Sequence, residues 1–182
     1  ASQLRKMIEH GENITKFSPS KSGQKADIWR LETAIFAALR TADETELSEF
    51  AGMLSGMPSR IFTAARKAST LDELFFAVKT RCYTLASVRR AVLSVFLDIR
   101  KQDQKALPAY IQILGMNEKG REVLAAAKPT LPVNTSLKAL SDKSALAKKQ
   151  AKTEERAGNL YALAFEPYRP CGLDFTSKPI IL

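Results

Sequence analysis

A chain of 182 residues with 45% hydrophobic content holds enough apolar side chain for a packed core, which excludes a disordered tail. Its 28 Lys and Arg against 19 Asp and Glu give a net charge of +9 and a pI near 9.7. That balance points to a polyanion partner, nucleic acid ahead of an anionic membrane surface. A single histidine, His10, and two separated cysteines, Cys82 and Cys171, exclude Ser–His or Cys–His catalysis and a His-containing zinc site within these residues. There is no Walker A loop, no GxGxxG, no signal-peptide pattern and no apolar run near the roughly 20 residues that span a bilayer. The expectation is a soluble, cytoplasmic protein with no membrane partner and with reduced thiols.

In chain order, Ala1 to His10 reads as a short helix that Gly11 ends, and 12–23 as a linker around Pro19. Ala26 to Arg40 is a helix with Ile28, Leu31, Ile35 and Leu39 on its buried face. Thr41 to Leu54 is acidic and opens with capping-box spacing at Thr41 and Glu44. Pro58 suits the first turn of a helix through Ala68, and Thr70 to Glu73 is a second capping box opening Leu71 to Thr80. After Thr84, the positions Leu85, Val88, Val92, Val95, Phe96 and Ile99 make one apolar helical stripe that frays near Gln102. Helices are predicted over Ala109 to Leu114, ended by Gly115, and over Glu118 to Lys128, capped by Asn117. Pro129 and Pro132 bracket an extended piece, Ser141 caps a long helix over Asp142 to Phe165, and 166–182 runs as an extended tail. No strand pattern or repeat stands out. The predicted fold class is all-α: an irregular multi-helix domain with an extended C-terminal tail.

The stretch Val78 to Arg90, VKTRCYTLASVRR, concentrates the functional signal. Lys79, Arg81, Arg89 and Arg90 stand there with no acid among them, beside Tyr83 and the hydroxyls of Thr80, Thr84 and Ser87. Guanidinium forks, an ammonium, hydroxyls and a stackable ring are the groups that hold a phosphate backbone and a splayed base. Helical geometry turns Arg90 outward and sets Arg89 at the border of the apolar stripe, its stem over the core edge. Tyr83 reads equally as a core ring with its hydroxyl satisfied or as a stacking platform. Lys148, Lys149 and Lys152 read as a solvated face because Glu154 and Glu155 follow them.

Lys79-Thr80-Arg81-Cys82-Tyr83-Thr84 followed by Arg89-Arg90, and then Tyr110-Ile-Gln-Ile-Leu-Gly115-Met-Asn-Glu-Lys-Gly120-Arg-Glu, resemble the tRNA(Met) cytidine acetate ligase family of the nucleotidylyltransferase superfamily. Two positions depart from the usual pattern: Arg81-Cys82 stands where Lys-Arg is common, and Gln112 where a basic residue is common. The closing Pro170 to Pro179 is similar to a tail of some clostridial-type members. Ser2-Gln-Leu-Arg5 resembles the second half of the superfamily's I-S-x-[ST]-x-x-R motif.

The resemblance implies ATP-dependent acetylation of N4 of the wobble cytidine in elongator tRNA(Met) through acetyl-adenylate, with tRNA, ATP and acetate as partners. It implies that Ser2 and Arg5 contact ATP phosphates, and that Lys79, Thr80, Arg81, Tyr83, Arg89 and Arg90 contact tRNA. It places 1–12 at the end of a nucleotidyltransferase core and 13–182 in a C-terminal helical region. The paired-histidine half of the ATP site then lies upstream, and this chain binds tRNA with no catalytic residue and no metal of its own. Two other readings stand beside it: a helical scaffold or dimerisation region on a nucleotidyltransferase that acts on a small metabolite, and a freestanding basic nucleic-acid binder.

Overall fold

The computed structural model of the chain describes Met7, Glu12 and residues 26–181. Ser2, Arg5 and most of the expected linker 12–23 fall outside the described residues.

Asp27 opens a 3-10 turn, Ile28–Leu31, by accepting the Trp29 N–H on its carboxylate, and the turn runs directly into α1, Glu32–Thr41. The acidic segment forms only a short helix, α2, Glu44–Leu47. The Thr41 hydroxyl does not cap it, because it donates back to the Ala37 and Ala38 carbonyls of α1. Gly56, at φ 75°, turns the chain into α3, Met57–Lys67, with Pro58 in its first turn. Thr70 accepts the Glu73 N–H at 3.2 Å and starts α4, Leu71–Val78. Thr84 accepts the Ser87 N–H at 3.2 Å and starts α5, Leu85–Phe96. That helix stops well short of Gln102: Asp98 takes φ 55°, and a separate short helix, α6, follows at Lys101–Lys105.

These helices close on one apolar core. Ile35, Leu39, Leu47, Met57, Ile61, Leu71, Leu74, Val78, Val88 and Val92 are fully buried in it, and Ala164 joins from late in the chain. Arg40 and Arg60 finish neighbouring helices. Arg40 donates to the Ala65 and Ala68 carbonyls at the end of α3, and Arg60 to the Ala77 and Val78 carbonyls at the end of α4. Each guanidinium thereby satisfies carbonyls that a helix C-terminus leaves orphaned.

The second half corrects the all-α expectation. Tyr110 to Met116 is not helical: it holds β1, Ile111–Gln112, and β2, Gly115–Met116. After α7, Glu118–Ala126, come β3, Val133–Asn134, and the helices α8, Leu137–Ser141, and α9, Ala145–Ala162. β1 pairs in parallel with β3, Ile111 opposite Val133, and β2 pairs in parallel with β4, Ile180–Ile181, Gly115 opposite Ile180. The Ile111 and Ile113 N–H groups that a helix would use internally go instead to the Pro132 and Asn134 carbonyls. β-branched side chains at Ile111 and Ile113 favour that choice.

The closing segment is likewise no free extended tail. It contains α10, Leu173–Thr176, whose Asp174 packs against Gly158 of α9, and it ends in β4. The long helix starts at Ser144, which accepts the Ala147 N–H, and not at Ser141. Tyr110, Leu137, Leu140, Ala147 and Ala151 form a second, smaller core.

Candidate nucleic-acid interface

The junction of α4 and α5 is built by local hydrogen bonds that the sequence dictates. α4 ends when the Lys79 N–H bonds the Phe75 carbonyl, and Thr80 then folds the turn. Its Oγ1 accepts the N–H groups of Cys82 and Tyr83, both at 3.1 Å. The Thr80 hydroxyl is therefore engaged in its own loop, a common use of this residue. Tyr83 is also engaged: its ring packs against the main core, and its hydroxyl donates to the Ser55 carbonyl. Gly56 makes room for that contact, since a Cβ there would lie 3.0 Å from the Tyr83 hydroxyl.

The cations behave differently. Lys79, Arg81 and Arg90 are exposed, and Arg89 is half-buried with its guanidinium carbon 5.3 Å from the Phe75 ring centroid. The ion pairs among the described residues are Arg30–Glu166, Arg100–Glu46, Arg100–Asp98 and Lys149–Asp103, so none of the four is neutralised by a carboxylate. The polypeptide thus brings Lys79, Arg81, Arg89 and Arg90 to one helix junction with their charges unpaired. It withdraws Thr80 and the Tyr83 hydroxyl into the scaffold.

A separate shallow cleft of about 470 Å³ between α3 and α4 is lined by Ser59, Arg60, Thr63, Lys67 and Glu73. These residues were missed in the sequence, although Arg60 and Lys67 stand seven apart on one face of a helix. Phe76 was missed too. The buried positions Leu71, Leu74, Phe75 and Val78 leave it at the centre of the outward face of α4, where it is 61% exposed.

Some basic residues elsewhere are tied down, while others, such as Lys148 and Lys152 of α9, are exposed and make no ion pair among the described residues. Arg100 lays its guanidinium 3.9 Å from the Phe50 ring centroid and donates to Glu46 and Asp98 at 2.9 and 2.8 Å. Burial pulls its pKa down, but those two carboxylates outweigh it and the net shift is upward. Lys149 pairs with Asp103 in a cleft of about 760 Å³ between α6 and α9, so the lysine-rich face of α9 is partly spent on packing. The Tyr110 oxygen is enclosed and makes no hydrogen bond of ordinary geometry, with the Glu154 carboxylate close by. Burial first, and then the neighbouring Glu154 carboxylate, push its pKa well up, so it stays protonated. Among the described residues no three His, Cys, Asp or Glu gather as metal ligands, and no helix is long and apolar enough to cross a membrane.

The HIGH Nucleotidyl Transferase family model matches residues 1–172. The chain belongs to that family. The match runs through α1 to α9 and β1 to β3 and stops before α10 and β4, so most of the helical region lies inside what the model describes. This overturns the expectation of a C-terminal helical region that lacks the nucleotidyltransferase part and only binds. The 182 residues nevertheless hold one histidine, so no H-x-G-H pattern occurs among them.

A tRNA(Met) cytidine acetate ligase of Acetivibrio thermocellus is 30% identical over 169 residues, covering 87% of this chain and 40% of the relative. One of Thermoanaerobacter sp. (strain X514) is 33% identical over 123 residues, covering 66% of this chain and 31% of the relative. Crystal structures of Thermotoga maritima TmcAL share the fold at 23% identity and cover 98% of this chain. The apo form has a TM-score of 0.76, and the form bound with alpha-thio ATP 0.78, with 44% and 45% of that chain covered. The chain spans between about a third and just under half of the length of these relatives.

Proposed function

We propose that the protein works as a tRNA(Met) cytidine acetate ligase, with the α4–α5 junction as its tRNA-holding face. A carboxylate does not acylate an amine in water until one of its oxygens becomes part of a leaving group. ATP meets that need: acetate attacks the α-phosphorus, pyrophosphate departs, and the cytidine amine then displaces AMP from the acetyl carbon with loss of its proton. Ser2 and Arg5 are the residues proposed to meet the ATP phosphates, on their match to the superfamily motif. The names of the relatives and the nucleotide bound to the Thermotoga maritima protein support the substrates.

The observation that carries the interface is the unpaired state of Lys79, Arg81, Arg89 and Arg90 among the described residues, at one junction of a chain of net charge +9. In this reading Lys79, Arg81, Arg89 and Arg90 touch phosphates, while Thr80 and Tyr83 hold the loop that presents them.

The experiment is incubation of the chain with labelled acetate, ATP and a tRNA(Met) transcript, alongside filter binding of the same transcript across salt. Label entering the tRNA only when ATP is present supports the ligase reading. Affinity that rises as salt falls, along a straight log–log line, supports the interface. Tight binding without label refutes the activity, and salt-independent or absent binding refutes the interface.

A further inference from the structure

The basic junction carries one large apolar surface that the fold does not use. Phe76 is 61% exposed, and helical geometry at roughly 100° per residue puts it opposite the buried row of α4. A lone exposed aromatic is unremarkable on most surfaces. This one has a cation beside it: Lys79 follows one turn later with its Nζ 5.9 Å from the ring centroid, while Arg89 of α5 covers the neighbouring, buried Phe75. Other rings are closely covered by guanidinium, Phe62 by Arg66 at 3.3 Å and Phe50 by Arg100 at 3.9 Å. Lys79 sits at the outer limit of a cation–π contact, so the Phe76 ring remains open.

We infer that Phe76 is a stacking platform for one unpaired base of the bound RNA. The inference rests on the tRNA reading above and deepens it, by moving base contact from Tyr83 to a residue three positions before Lys79. A polyanion brings phosphates to Lys79, Arg81, Arg89 and Arg90. A duplex keeps its bases stacked on one another, whereas a single-stranded loop can offer a base face to a ring. An uncovered phenyl ring with an ammonium group beside it suits the second ligand and gains nothing from the first. Asp72 and Glu73, one turn earlier on α4, carry the opposing charge, so the RNA backbone is expected to leave the ring toward α5.

The test compares Phe76→Leu and Phe76→Trp with the wild-type chain, using a tRNA(Met) transcript and a blunt RNA duplex as probes, each titrated across salt. Leucine keeps the apolar bulk and removes the ring face. Phe76→Leu is expected to weaken tRNA binding roughly 5- to 150-fold, the span of base–aromatic stacking. Its salt slope and its affinity for the duplex should stay as in wild type, and Phe76→Trp should retain tRNA affinity. Unchanged tRNA affinity in Phe76→Leu, or equal losses on tRNA and duplex, overturns the stacking role while leaving the cationic interface standing. If wild type binds tRNA no more tightly than the duplex, a base contact is excluded. If it binds neither, the tRNA reading itself falls.

Discussion

Replacing Lys79, Arg81 and Arg90 together by alanine separates charge from fold. Four unpaired cations that each neutralise one phosphate give a salt slope of about −2.8 to −3.6 in log affinity against log salt. Raising salt from about 50 to about 200 mM should then cost wild type roughly 50- to 150-fold in affinity for a tRNA(Met) transcript. With only Arg89 left, the slope falls to about −0.7 to −0.9 and the same step costs roughly threefold. Stability should barely move, because Lys79, Arg81 and Arg90 are exposed and make no ion pair among the described residues. A shift in Tm within about 2 °C is expected for such surface changes. Filter binding at five salt concentrations and a thermal melt are sufficient. A slope equal to wild type, or a melt that collapses, would refute the placement of these groups on the RNA face.

Thr84→Ala removes the acceptor of the Ser87 N–H and should destabilise the chain by about 1 kcal/mol, read as a Tm lower by roughly 2–4 °C, while Thr84→Ser retains stability. Tyr110→Phe deletes an enclosed hydroxyl that makes no hydrogen bond of ordinary geometry, so Tm is expected to hold or rise, and a fall of several degrees would assign the nearby Glu154 as its partner. Burial works against the charged form of Asp103, but Lys149 and the Arg100 N–H outweigh it and hold its pKa below the ordinary carboxylate value. A depressed pKa contributes stability above the unfolded value and loses it as pH falls through the folded one. Urea melts of wild type should therefore exceed those of Asp103→Asn at neutral pH, and the gap should close below about pH 4.

Where a local chemical rule decides the structure, the sequence was readable. Thr70 and Asn117 cap the helices they were expected to cap, Thr84 caps the apolar helix that follows it, and the spacing of Leu71, Leu74, Phe75 and Val78 marks the buried face of α4. Where pairing with a distant segment decides it, the sequence was mute. Tyr110 to Leu114 has as much apolar content as a short helix, and only the carbonyls of Pro132 and Asn134 make it extended. Two-residue strands leave no alternation to detect. The junction was legible as charge because its cations cluster in sequence. The diversion of the Tyr83 hydroxyl into the scaffold was not, since it depends on the Ser55 carbonyl from another turn. Phe76 could have been found: the helical period that buries Phe75 necessarily exposes its neighbour.

The parallel register of Gly115 with Ile180 bears on the order in which the chain can mature. A Cβ at residue 115 would sit 2.9 Å from the Ile180 carbonyl oxygen, so the two backbones meet with no side chain between them. That meeting must wait until Ile180 has been synthesised, with the entropy of a long loop opposing it. The α1–α5 core needs little from so late, chiefly Ala164 with Leu160 at its edge. During translation the cationic junction can therefore be in place on a nascent chain whose second half is still open.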